Sequence, residues 1–283
     1  MTTRQDNPGA LLVDGHVHFH PCFEVGDFLQ AAASNFAAAR AEKGLAEAVG
    51  CLMLTENSWR HDFRAFSEGY IARAAPEWTV NPTQEDCSLL ARRDDGEQLV
   101  FVAGRQLVTF ERLEVLALGT MSEYPDGLPA KEAAAVVASS EALAVMPWGF
   151  GKWTGRRGRI VQDMLTSPGA ERLFVGDNGG RPGVGLRPPL FSLAERRNIP
   201  ILRGSDPLPL PAEVAKPGRF GFVLENSADL ESPAAAIKRA LRTRIQPEGY
   251  GRLEHLTTFA RRQIGLRLRK QPPRPPSMHG RRA

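Results

Sequence analysis

The sequence predicts a single α/β domain with a barrel-like parallel sheet, and three observations predict it. Strand-like and helix-like segments alternate along most of the 283 residues, the pattern of repeated βα units. Several of the strand-like segments, such as ALLVDGHV and AVGCLML, are near-continuous apolar runs of the kind found in buried strands. Polar residues gather where those runs end, which is where barrel enzymes place their chemistry.

The elements follow in order. ALLVDGHVHF reads as the first strand, and the alanine-rich residues 27–43, apolar at helical spacing and closed by Gly44, as the first helix. AVGCLMLTEN is a second buried strand and HDFRAFSEGYIARA a second helix. Between residues 78 and 118 the pattern changes to short strands, EWTVNPT, CSLLARRDD, EQLVFVAGRQLVTF and RLEVLALG, with a hairpin turn at Asp94, Asp95 and Gly96. A helix over residues 131–140 follows the turn YPDGLP. EALAVMPW, RLFVGDN, IPILRGSD and RFGFVLEN are then strands, alternating with the helices GRIVQDMLTS, FSLAERRN and SPAAAIKRALRTR. A last helix from about Tyr250 carries Leu253, Leu256, Ala260, Ile264 and Leu268 at spacings of three and four, a stripe suited to docking on the barrel. The expected organisation is a flexible lead at residues 1–10, the domain at 11–248, an amphipathic basic helix at 249–270 and a disordered Pro/Arg-rich tail at 271–283.

Composition narrows the function class. With 42% apolar and 24% charged residues, the chain can bury a sizeable core and is neither fibrous nor disordered as a whole. Its three cysteines lie far apart with no Cys-x-x-Cys pair, which argues against a disulfide framework and a zinc ribbon and for a reducing cytoplasm. No basic-then-apolar leader and no run of about 18 apolar residues is present, so no membrane span is expected. Eight basic residues and no acid lie in residues 259–283, more than the whole net charge of +4. The body is therefore mildly acidic, and the basic tail can contact an acidic partner or nucleic acid.

The sharpest local signal is VDGHVHFH. Side chains on a strand alternate with period two, so His16, His18 and His20 share one face, and two imidazoles side by side can bind one divalent metal. LRGSDPLPLP ends another strand at Asp206, a candidate ligand or base. PWGFGKWTGRRGR gathers Lys152 and Arg156 with glycines and Trp148, a combination suited to a phosphate or carboxylate and a ring. VGDNGGRP offers Asp177 and Arg181, Arg203 lies beside the Asp206 strand end, and Glu56 ends LMLTE.

Taken in order, residues 11–225 resemble the polymerase and histidinol phosphatase (PHP) superfamily of metal-dependent phosphoesterases. His16 and His18 match its first-strand His-x-His, LTEN its Thr-Asp-His, AVMPWGFGKW its Ala-His-Pro strand end and RGSDPL its Gly-Ser-Asp-x-His. The resemblance implies a distorted (β/α)7 barrel. Several family ligands are replaced, by Asn57, Gln106, Met146 and Leu208, which leaves His16, His18 and Asp206 as a set for one divalent ion, zinc, manganese or iron, or for none. The expected function is a metal-dependent hydrolase of a small phosphorylated substrate, with His20, Glu56 or Asp206 handling protons and Trp148, Lys152, Arg156, Asp177, Arg181 and Arg203 contacting an anion. The alternative is a non-catalytic protein of the same fold that binds a ligand or partner through a cation-lined pocket.

Overall fold

The computed structural model describes residues 9–183 and 187–268. Residues 1–8 of the predicted lead, and the whole of the predicted tail at 271–283, lie outside the described residues. The elements are β1 (Ala10–Val17), α1 (Val25–Lys43), β2 (Val49–Leu54), α2 (Asp62–Ser67), α3 (Tyr70–Ala74), β3 (Trp78–Pro82), β4 (Ser88–Arg93), β5 (Gln98–Val102), β6 (Gly104–Val108) and β7 (Glu114–Leu118). They continue with α4 (Ala130–Ser139), β8 (Leu143–Pro147), α5 (Gly155–Thr166), β9 (Leu173–Asn178), α6 (Pro189–Arg196), β10 (Ile201–Gly204), β11 (Gly221–Glu225), α7 (Pro233–Arg242), β12 (Gly249–Tyr250) and α8 (Leu256–Leu268). The helix expected across HDFRAFSEGYIARA breaks in two at Gly69, which takes a left-handed φ of 86°. The final helix starts at Leu256 rather than near Tyr250, because Gly249 and Tyr250 pair with β11 as an edge strand. No helix among the described residues is long and apolar enough to cross a membrane.

Among the described residues the strands form two sheets and no closed barrel, so of the expected (β/α)7 barrel it is the α/β class that the structure shows. One sheet has seven strands in the order β12-β11-β1-β2-β5-β4-β3, the other five in the order β10-β9-β8-β7-β6. Two features prevent continuous closure. EQLVFVAGRQLVTF, read as one strand, divides at Ala103, so that β5 belongs to the first sheet and β6 to the second. In addition, β11 returns antiparallel along the first half of β1, with Ala10 opposite Glu225 and Val13 opposite Phe222, and takes that edge from β10.

The sheets instead meet at two short seams. At one, the Glu56 N–H donates to the Gly104 carbonyl (3.1 Å) and the Gln106 N–H to the Glu56 carbonyl (2.8 Å); at the other, the Asp206 N–H donates to the His16 carbonyl (2.8 Å). Close approach demands glycine at both. A Cβ on Gly104 would stand 2.5 Å from the Leu54 carbonyl oxygen and 2.7 Å from that of Ala117, and one on Gly204 would collide with the His16 backbone. Because backbone on two sides cannot yield as a flexible side chain can, Gly104→Ala is expected to cost about 1–3 kcal/mol. The measurement is urea denaturation, and an unchanged midpoint would show that the seam can open at no cost.

Three apolar clusters define the layers. Leu12, Leu52 and Phe101 face α1 and α2 outside the seven-stranded sheet. Leu11, Val13, Val100, Leu116, Val145 and Phe222 fill the space between the sheets, joined by Ile237 and Leu241 of α7. Val115, Ala144 and Val175 face Val137, Val161 and Phe191 of α4, α5 and α6 outside the second sheet. The parallel strands β1, β2, β8, β9 and β10 end at the same rim, and the polar residues noted in the sequence collect there.

Candidate metal centre and its cavity

Strict alternation does not by itself bring the histidines inward. Leu11 and Val13 face the space between the sheets, so period two would send Val17 the same way. Val17 instead packs on the helix side with Leu12, because the β1–β2 register shifts between Asp14 and Val17. That irregularity reverses the parity of the strand and turns His16 and His18 toward the seam. Asp14 stabilises it. The fully buried Asp14 carboxylate accepts N–H groups from Ser205 (2.8 Å), Gly218 (2.8 Å) and His16 (3.3 Å). Burial pushes its carboxyl up to about 6 against those donors. Asp14 thereby ties β1 to the segment that carries Asp206.

Asp206 follows β10 with a left-handed φ of 46°. Non-glycine residues rarely adopt that conformation, aspartate among the more tolerant of them, and here it brings the carboxylate back over the imidazoles. His16 Nε2 and His18 Nε2 are 3.1 Å apart, and Asp206 Oδ1 is 3.5 Å from the first and 3.6 Å from the second. Gln106 Oε1 lies 3.2 Å from His16 Nε2. Asn178 Nδ2 donates to Asp206 Oδ2, which leaves Oδ1 directed at the histidines.

His16, His18 and Asp206 form a group able to hold a metal ion. The donor set fits that use. Bonds of about 2.1 Å in a tetrahedron place ligand atoms about 3.4 Å apart, close to the separations found here. The ionisation states fit as well. Burial, with His16 alongside, pushes His18 down to about 3, which keeps its imidazole neutral. Burial raises the Asp206 carboxyl, but the imidazoles beside it, with Lys152 and Arg262, outweigh it and hold the group below the ordinary carboxylate range. Neutral imidazole and ionised carboxylate are the metal-binding forms.

The group opens into a cavity of about 450 Å³. His20 lines it, stacks on His18 with ring centroids 5.4 Å apart, and donates Nε2–H to the Pro207 carbonyl at 2.8 Å. Lys152 enters from the loop after β8 and pairs with Glu114, and Trp148 lies on the same wall.

The remaining predicted residues are placed elsewhere. Glu56 does not line the cavity: its carboxylate is committed to Arg105 (2.8 Å) and to the Phe63 N–H (2.5 Å). Asp177 is held by Arg181 through two bonds of 2.6 and 3.1 Å, and neither lines the cavity. Arg203 lies over the Phe220 ring at 5.1 Å, packed against Gly249. Arg156 is exposed on α5. Of the four cations expected to gather at an anion, the structure thus brings Lys152 to the cavity and sends the other three away. The sequence reading missed Arg262, which lines the cavity from α8, and the part Asp14 plays in building the strand end. An acid in the middle of an apolar run was the signal for the second; the first had none.

No protein-family model matches the chain, and no curated protein matches it. Solved structures do match. PsfC from Pseudomonas syringae PB-5123 is 13% identical, with 92% of this chain and 98% of that chain covered and a TM-score of 0.49. The lesion-specific endonuclease PfuEndoQ from Pyrococcus furiosus is 13% identical, with 85% of this chain covered and a TM-score of 0.50. Endonuclease Q in complex with a 27-mer duplex carrying an abasic lesion at its active site is 14% identical, with 86% of this chain covered and a TM-score of 0.50. The chain spans 57% and 60% of the length of those two endonuclease chains. At such identities the likeness is one of architecture, and the chain shares the α/β fold of the two endonuclease structures.

Proposed function

We propose that the chain is a metal-dependent hydrolase of phosphoesters that acts on a small phosphorylated substrate through one divalent ion held by His16, His18 and Asp206. The observation that carries this reading is the convergence of two imidazole nitrogens and a carboxylate oxygen within 3.6 Å of one another beside a cavity. When bound, a divalent ion supplies hydroxide near neutral pH and draws charge from a phosphoryl oxygen. The side chains do the rest. Asn178 orients Asp206, and Gln106 offers a further oxygen beside His16 Nε2. His20, stacked on His18 at the cavity wall, is the group assigned to hand a proton to the leaving oxygen. The resemblance to the PHP superfamily supports this chemistry, and so does a fold shared with endonucleases, whose reaction breaks a phosphoester bond.

The test is metal content by elemental analysis of untagged protein, wild type against a His16→Ala, His18→Ala double variant, followed by a phosphoester panel on both. The expected result is stoichiometric metal and turnover in the wild type, with both lost in the variant. Wild-type protein that takes up neither zinc, manganese nor iron would remove the hydrolase reading and favour the ligand-binding alternative.

A further inference from the structure

The cavity has a wall that apolar spacing does not anticipate. Phe259, Arg262 and Gln263 of α8 line it. The stripe expected to dock faces outward instead: Leu256 and Ile264 are 56% and 58% exposed, whereas Phe259 and Arg262 are 9% and 6% exposed. A helix that buries an arginine and exposes two aliphatic residues is positioned by specific partners rather than by its hydrophobic pattern.

Two of those partners, Gly180 and Phe150, line the same cavity as the candidate centre. The Arg262 guanidinium pairs with Glu213 at 2.6 Å, both side chains buried. It lies against Gly180, where any Cβ would collide with it. Phe259 meets Phe150 edge-on with centroids 5.0 Å apart. Glu213 neutralises part of the charge, yet Arg262 Nε has no hydrogen-bond partner among the described residues. Arg262 and Lys152 line the same cavity as Asp206.

Resting on the phosphoester reading, we propose that α8 is the substrate-recognition element of this site. Arg262, with Lys152, binds the non-bridging oxygens of a terminal phosphate, and the Phe150–Phe259 pair with Trp148 receives its organic group. The preferred class is therefore a small phosphomonoester with an apolar or planar leaving group. Lys152 and Arg262 each share charge with a carboxylate, Glu114 and Glu213, but as donors they suit the three non-bridging oxygens of a monoester better than the two of a diester. A cavity of about 450 Å³ suits a small molecule. In the reaction, water oxygen bonds to phosphorus, the ester P–O bond breaks, the leaving oxygen takes a proton and inorganic phosphate is released.

Isothermal titration of inorganic phosphate into the metal-loaded full chain tests the binding step, and turnover of phenyl phosphate against diphenyl phosphate tests the class. Arg262→Gln is expected to weaken phosphate about 10-fold or more with metal content unchanged, since a charge-assisted bond is lost. It is expected to lower kcat/KM for the monoester more than for the diester. Where hydrogen exchange shows α8 loosened in that variant, Arg262→Lys carries the test: it keeps a charge beside Glu213 but loses the planar fork, and weaker phosphate binding is again expected. Unchanged phosphate affinity with α8 docked, or equal losses on both esters, would overturn the proposal. Phosphate binding that depends on Arg262 in a wild type that hydrolyses neither ester would keep the anion site and remove the hydrolase reading. Metal-dependent hydrolysis indifferent to Arg262 would do the reverse.

Discussion

Asp206→Asn is expected to lower kcat/KM by at least about 100-fold, because residues one step removed from a metal already cost about 10–100-fold when lost. The substitution separates chemistry from folding. Asparagine tolerates the left-handed φ of 46° that Asp206 adopts, so the backbone keeps its course. Asn178 donates to Oδ2, and a carboxamide at 206 meets that donor with its oxygen. Its NH2 then faces the two imidazoles, where a lone pair is needed. Metal content should fall while the metal-free protein still unfolds in one cooperative urea transition. Retained metal and retained turnover would remove Asp206 from the ligand set.

The largest expected effect on stability lies at the other seam. Arg105→Ala leaves the Glu56 carboxylate buried without its guanidinium partner, which donates at 2.8 Å. Removing one member of a buried pair costs about 3–5 kcal/mol. The lower end is expected here, because burial already holds the Glu56 carboxyl above the ordinary range despite the Phe63 amide and Arg105, so it can neutralise by taking up a proton. Urea denaturation checks the loss. Glu56→Gln completes the comparison. If Glu56 joins the sheets and moves no proton, that variant loses stability and keeps its turnover per folded molecule; the opposite pattern would restore the proton-carrying role its strand-end position suggested.

Much of the candidate site was legible because its residues end apolar strands. His16, His18 and Asp206 stand out in VDGHVHFH and LRGSDPL as polar groups closing buried runs, and parallel strands bring such ends to one rim. Inward and outward were harder to read. The parity of β1 depends on a register shift imposed by the neighbouring strand and by the amides that Asp14 accepts from Ser205 and Gly218, both far away in sequence. The cations failed for a similar reason. Arg181 and Arg203 are as well placed in sequence as Lys152, but Asp177 and the Phe220 ring claim them locally. Arg262 was hidden because its helix shows a regular aliphatic stripe on the opposite face, and its ion pair with Glu213 overrides the pattern. The division into two sheets was hidden at two places: Ala103–Gly104, where a single apolar run changes sheets, and the first half of β1, where β11 takes the edge.

The pairing of β1 with β11 also bears on the order of folding. Leu11, Leu12 and Val13 find their antiparallel partners at Leu224, Val223 and Phe222, across nearly the whole described domain. Contacts of such separation close a long loop and raise the entropic barrier to folding. Emergence from the ribosome orders these events: the strand bearing His16 is made before β11, so one of its edges waits. During that interval an apolar edge is open to other chains, and chaperone protection matters most there. Pulse-labelled hydrogen exchange would time this step, with the β1 amides protected late and together with those of β11.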